Sequence, residues 1–128
     1  MTYRLLIPVT PGELLDRITI LRIKLRRIED RAKLAKVGAE LHQVTDVWDN
    51  SPYAIRMSAE IIRCWRELQA ANEDIWDAEN EIRASDNGFI SEPAKRARDA
   101  NNKRTELKAR INEELGLETS EVKEYKEV

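Results

Sequence analysis

Polar side chains at positions where a helix should be apolar are the first candidates for chemistry in this 128-residue chain. Asn72 and Glu79 interrupt the series Leu68, Ile75, Ile82. Seven residues apart, they share one helix face at a separation of ~10.5 Å. A second series, Ala97, Asn101, Arg104, Lys108, Ile111 and Leu115, is amide, guanidinium and ammonium in its middle, with Asn112 alongside. Such groups are costly to bury unpaired, so they imply partners. One arrangement is an ion pair between Glu79 and Arg104 that fixes the register of two helices. The other is a polar pocket for a small anionic ligand, phosphorylated ligands included, built from Asn72, Glu79, Asn101, Arg104, Lys108 and Asn112. Two cations and two amides exceed what a single carboxylate can satisfy. Arginine suits two-pronged recognition of carboxylate or phosphate, and Lys108 adds a point charge one turn on. On the pocket reading, Arg104→Ala is tolerated by the fold.

Glu13 and Asp16 have the one-turn carboxylate spacing used by Mg²⁺-dependent, all-helical nucleotide hydrolases. Acidic residues in a first helical turn also have a simpler reason to be there, the helix dipole. Metal binding at Glu13 and Asp16, with the acids near Asp77 in support, is therefore the alternative reading; Mg²⁺ is the only cofactor it would bring. His42 stands without Cys or His at ligand spacing, so zinc is not expected. Cys64, beside Trp65 and without a nearby His, reads as packing. The run Arg17 to Lys36 is rich in cations but lacks interleaved aromatic residues, and nucleic acid is not taken as a partner. No phosphate-binding glycine loop is present.

The elements that would position these residues are helices. Ala, Glu, Lys, Leu and Arg make up close to half the chain, against four Gly and four Pro, a balance that favours long helices over a many-stranded barrel. Thr10-Pro11-Gly12-Glu13 combines a cap, a proline at the first helical position and an acid three residues after the cap. Leu14, Ile18, Leu21, Leu25 and Ile28 then recur at spacings of four and three. The phase breaks near residues 29–31, where Asp30 can cap a second helix carrying Leu34, Val37, Leu41, Val44 and Trp48. Ser51-Pro52 reads as the start of a long third helix with Ile61, Trp65, Leu68, Ile75 and Ile82 on one face. Residues 85–88 should end it. Ser91 and Pro93 open a fourth helix that Gly116 stops. The expectation is an all-α, four-helix, bundle-like single domain with helices over 11–28, 31–49, 52–84 and 92–115. A short N-terminal apolar segment and an acidic tail, 117–128, should pack along it.

Charge and cysteine usage narrow the setting. The formal charge is −2, with Lys and Arg in excess over residues 1–66 and Asp and Glu in excess over 67–128. No apolar run approaches the ~20 residues needed to span a bilayer. The N-terminus lacks the pattern of an export leader, and one cysteine cannot close an internal disulfide, so a cytoplasmic location is expected. A third helix of about 32 residues would be ~48 Å long, more than the width of a compact domain of this size. A homo-oligomer, in its simplest form a dimer, follows as an expectation.

The segment Ile7-Pro8-Val9-Thr10-Pro11-Gly12-Glu13-Leu14-Leu15-Asp16-Arg17-Ile18-Thr19-Ile20-Leu21 resembles a family of short bacterial proteins known as a domain of unknown function. Its members open with a PVS-x-GELLDKITIL-like stretch. The likeness continues at Lys24, Arg27-Ile28-Glu29-Asp30 and Lys33-Leu34-Ala35. It returns at Ile75-Trp76, Glu79, Ile82-Arg83, Asn101, Arg104, Leu107-Lys108 and Ile111-Asn112, and closes at Gly116, Glu118, Glu121, Lys123 and Tyr125. The chain departs from the pattern at Asn102, where an Asp is usual, at Thr10-Pro11, and around residues 88–94. The resemblance implies no activity. It does imply that the polar residues singled out above belong to a shared pattern, which adds weight to the pocket. A helical binding module for a small anionic ligand is thus the leading functional expectation. A Mg²⁺-dependent nucleotide hydrolase and a purely structural assembly protein are the alternatives.

Overall fold

The computed structural model describes residues 4–85 and 91–117. Four helices account for it: α1 (Pro11–Arg27), α2 (Arg31–Asp49), α3 (Ala59–Ala84) and α4 (Ser91–Glu114), with one 3₁₀ turn at Ala54–Arg56. There is no strand among the described residues, and the domain is all-α as the composition implies. Its pairs of neighbours are α3 with α4, and α1 with each of α2, α3 and α4. Helix α1 is therefore the central element, and α2 is held chiefly through it.

Local chemistry accounts for most of the boundaries. Thr10 is extended and its hydroxyl accepts from Glu13 N–H at 3.2 Å, with Pro11 as the first helical residue. Asp30 does the same for Lys33 N–H at 3.1 Å. The corner between α1 and α2 is the extended backbone from Ile28 to Asp30. At the end of α4, Gly116 has φ of +80°. Its N–H reaches Glu113 O at 3.0 Å, and Leu117 N–H reaches Asn112 O at 2.9 Å. This paired closure satisfies two orphan carbonyls and requires the left-handed conformation that glycine adopts without strain. The expected ends at residues 86–88, and the acidic tail beyond Leu117, lie outside the described residues.

The third helix departs from expectation. It begins after Ser58, whose hydroxyl accepts from Ile61 N–H at 3.2 Å, and not after Ser51. Ser51 instead closes α2, its hydroxyl donating to Trp48 O at 2.7 Å. The intervening residues leave the helix because Tyr53, Ala54 and Met57 pack against the core, a tertiary gain that overrides the Ser-Pro start signal. Arg56 ties the same detour to the end of α4 through Leu115 O at 3.2 Å. At 26 residues α3 is ~39 Å long, shorter than the ~48 Å expected. The N-terminal segment departs as well. Residues 4–10 have no regular structure and do not pack along the helices: Leu5 is 92% exposed and Leu6 91%.

The core gathers Leu15 and Ile18 of α1, Trp48 of α2, Ile61, Cys64 and Leu68 of α3, and Leu107, Ile111 and Leu115 of α4. Compared with the expected stripes, the buried faces of α3 and α4 are rotated by about one residue. On α3 the inward positions are Ile61, Cys64, Leu68, Ala71 and Ala78, while Trp65 is half-buried and Glu79 exposed. On α4 they are Pro93, Ala100, Leu107, Ile111 and Leu115, while Arg104 and Lys108 sit half-buried and Asn101 is exposed. The alanines let α3 and α4 approach closely and leave the larger polar groups at the margin of the seam.

Candidate functional site

Asp16 is the organising residue. It lies in the second turn of α1, 1% exposed, where the turn-to-turn rise of the helix carries its side chain between α3 and α4. Arg104 of α4 meets it side-on, with the Nε and Nη2 nitrogens of one edge of the guanidinium. Nη2 donates to Oδ2 at 2.6 Å, and Nε lies 2.9 Å from Oδ1 and 3.1 Å from Oδ2. Asn72 of α3 adds Nδ2 to Oδ1 at 2.9 Å. The other hydrogen of the same amide nitrogen goes to Thr19 Oγ1 at 2.7 Å, and that hydroxyl donates to the Asp16 backbone carbonyl at 2.7 Å. Burying a carboxylate is costly unless it is paired and hydrogen-bonded, and these contacts supply both. The hydrogen bond to Asp16 raises the pKa of the Arg104 guanidinium above its ordinary value, against the opposing effect of burial. Arg104 is a permanent cation here.

Lys108, one turn further along α4, spans the two acids of α1. Its Nζ is 2.6 Å from Glu13 Oε2 and 3.9 Å from Asp16 Oδ2. An ammonium thus stands between the two carboxylates that the spacing of Glu13 and Asp16 offered to a metal. Among the described residues no group of three or more His, Cys, Asp or Glu is placed to hold a metal ion. Asn112, a turn beyond Lys108, accepts from Gly12 N–H at 2.8 Å. That bond caps the start of α1 from the side and fixes α4 against it.

The six residues singled out for a pocket are therefore divided by the fold. Asn72, Arg104 and Lys108 converge on Asp16, and Asn112 anchors the same helix pair two turns along from Arg104. Asn101 is exposed and accepts from Arg104 Nη1 at 3.3 Å. Glu79 is not the partner of Arg104, although both line one cavity. The reason is the rotated seam: Glu79 is turned to the surface, while the α1 face opposite Arg104 presents Asp16. Sequence spacing on α3 and α4 could not reveal a partner 88 residues away on α1. Nor did the first helix point to it: Asp16 lies off the series Leu14, Ile18, Leu21, Leu25 read there, and Leu25 of that series is 42% exposed.

Two depressions flank the Asp16–Arg104 pair. A cavity of about 250 Å³ has Ile20, Ile23, Ile75 and Trp76 as apolar wall and Lys24, Glu79 and Arg104 as polar edge. A second of about 300 Å³ is bordered by Glu13, Asp16, Arg17 and Glu40. Ile20, Lys24 and Arg104 line both. Arg17 is paired with Glu40 at 3.4 Å. Lys24 is half-buried, and its ammonium has no ion pair among the described residues. Lys24 and Trp76 were not in the expected pocket; their signal was weak, since each sits beside and not on an apolar stripe. No helix among the described residues is long and apolar enough to cross a membrane. No family model, curated protein or solved structure matches the chain.

Proposed function

We propose that this chain is a helical binding module whose cleft beside Asp16 takes a small molecule carrying an anionic group, a carboxylate or a phosphate. Lys24 carries the reading. It is a half-buried cation with no ion pair among the described residues, at the junction of the two depressions and beside an arginine held in place by its own carboxylate. Pairing with Asp16 reduces the charge Arg104 offers a ligand but fixes its orientation, and among the described residues Nη1 is engaged only by the exposed Asn101. An anion between Lys24 and that edge of the guanidinium replaces one long hydrogen bond with a charge-assisted one. Ile75 and Trp76 then meet whatever apolar part the ligand has. In this reading Asn72 and Asn112 position the helices, and Lys108 serves Glu13.

The experiment is a thermal-shift panel of inorganic phosphate, sugar phosphates, nucleotides and small apolar carboxylates, each with and without Mg²⁺. A ligand at one hundred times its Kd stabilises the native state by about 2.7 kcal/mol, several degrees for a domain of this size. The shift is expected without Mg²⁺ and should vanish in Lys24→Gln. An equal shift in that variant, or none with any compound, refutes the reading. Mg²⁺-dependent release of phosphate from a nucleotide would favour a hydrolase instead.

A further inference from the structure

A groove of about 620 Å³ runs between α1 and α3, and the residues that define it are distinct from those around Asp16. Ile62, Trp65, Arg66, Gln69 and Glu73 keep one face of α3 turned to it over twelve residues, a length of ~16 Å or about three helical turns. Its floor is apolar, with Leu25 42% and Ile62 39% exposed beside Trp65. Its rim is cationic. Arg22, Arg26 and Arg66 stand along it against the single acid Glu73, which is already bonded by Arg26. The Arg22 guanidinium lies 5.1 Å from the Trp65 ring centroid, and neither Arg22 nor Arg66 has an ion pair among the described residues. The Trp65 indole Nε1 is buried and has no hydrogen-bond partner among the described residues; without solvent access, it is not part of the groove's binding surface.

We propose that this groove docks an amphipathic helix of a partner protein, one whose apolar stripe is flanked by Glu or Asp. The stripe covers Leu25 and Ile62 as helix-in-groove recognition requires. The flanking carboxylates meet Arg22 and Arg66. A second copy packed groove to groove would set arginines against arginines, which disfavours self-association through this face. A single-stranded nucleic acid would need an open aromatic platform, and here Arg22 covers the Trp65 ring.

The probe is a fluorescein-labelled peptide of about 18 residues with Leu at helical spacing, Glu on both flanks and Ala elsewhere. Its controls are a peptide of the same composition shuffled to destroy the stripe and one with Lys in place of Glu. Fluorescence anisotropy with the full chain should detect the first peptide and neither control. Arg66→Glu and Leu25→Asp, both surface changes whose folding is checked by circular dichroism, should each weaken binding at least tenfold. Lys24→Gln should leave it unchanged, which separates this groove from the cleft beside Asp16. Absence of binding, equal binding of the shuffled peptide, or indifference to both Arg66→Glu and Leu25→Asp overturns the proposal. So does a sedimentation experiment in which the chain self-associates and Leu25→Asp renders it monomeric, since the groove would then belong to a second copy.

Discussion

Replacing Arg104 by Ala tests the central arrangement most directly. The change deletes the guanidinium that holds Asp16 at 2.6 to 3.1 Å and leaves a carboxylate only 1% exposed. What remains is the Asn72 amide at 2.9 Å and the Lys108 ammonium at 3.9 Å. Removing one partner of a buried pair costs about 3–5 kcal/mol, because the surviving charge stays desolvated. Arg104 keeps 27% of its side chain exposed, so water or a shifted Lys108 can reach the vacated space, and the lower end, about 3 kcal/mol, is expected. That corresponds to a fall in Tm on the order of 10 °C for a chain of this length. The geometry thus reverses the expectation, drawn from spacing alone, that the fold tolerates Arg104→Ala. Urea melts of three further variants locate the partner. Arg104→Met should be as damaging as Arg104→Ala. Adding Glu79→Leu should restore nothing, since Glu79 is exposed and makes no ion pair among the described residues. Adding Asp16→Asn should recover all but about 1–2 kcal/mol, because the charge is gone and an amide oxygen still accepts from Asn72. A loss below about 1 kcal/mol in Arg104→Ala, or recovery through Glu79→Leu, would refute this account of the site.

Gly12→Ala should destabilise the domain by about 1–3 kcal/mol in the same melts, because a Cβ there would clash with the Lys108 backbone carbonyl and lie 3.0 Å from Asn112 Oδ1. A neutral result would mean that α1 and α4 can separate at no cost. Ser58→Ala should cost about 1 kcal/mol and Ser51→Ala should not act through α3; amide exchange at Ile61 and Ile62 should rise in the first variant alone. Glu60 is bonded by Arg63 at 2.7 Å and by Arg110 at 2.5 Å, and these bonds, Arg63 first, lower its carboxyl pKa from 4.5 to about 2. A depressed carboxylate favours the native state above the unfolded-state value and loses that contribution as pH falls through the folded one. Carbon-detected NMR titration should therefore find Glu60 still ionised at pH 3, and a midpoint near 4.5 would contradict the bonded geometry.

The sequence alone determined the class of fold and most of its punctuation. Caps act within one turn, so Thr10, Asp30 and Gly116 could be read without knowing what the helices touch. The breaks at Ile28–Asp30 and after Asp49 follow from the same short-range chemistry. Tertiary contacts decided where α3 begins, because Ser51 and Ser58 are both competent caps and only the packing of Tyr53, Ala54 and Met57 chooses between them. Contacts also decided the rotation of α3 and α4. A stripe drawn through the largest apolar residues passes through Trp65, Glu79 and Lys108, whereas the packed seam runs through Cys64, Ala71, Ala78 and Ala100, whose small side chains allow the helices to close. The site is the clearest case. The polar residue types on α3 and α4 pointed to a partner of opposite charge, and Arg104 and Asn72 do share one. That it is Asp16, on a helix whose acids had a local explanation in the helix dipole, rests on three helices meeting at one point, which no periodicity within a single helix encodes.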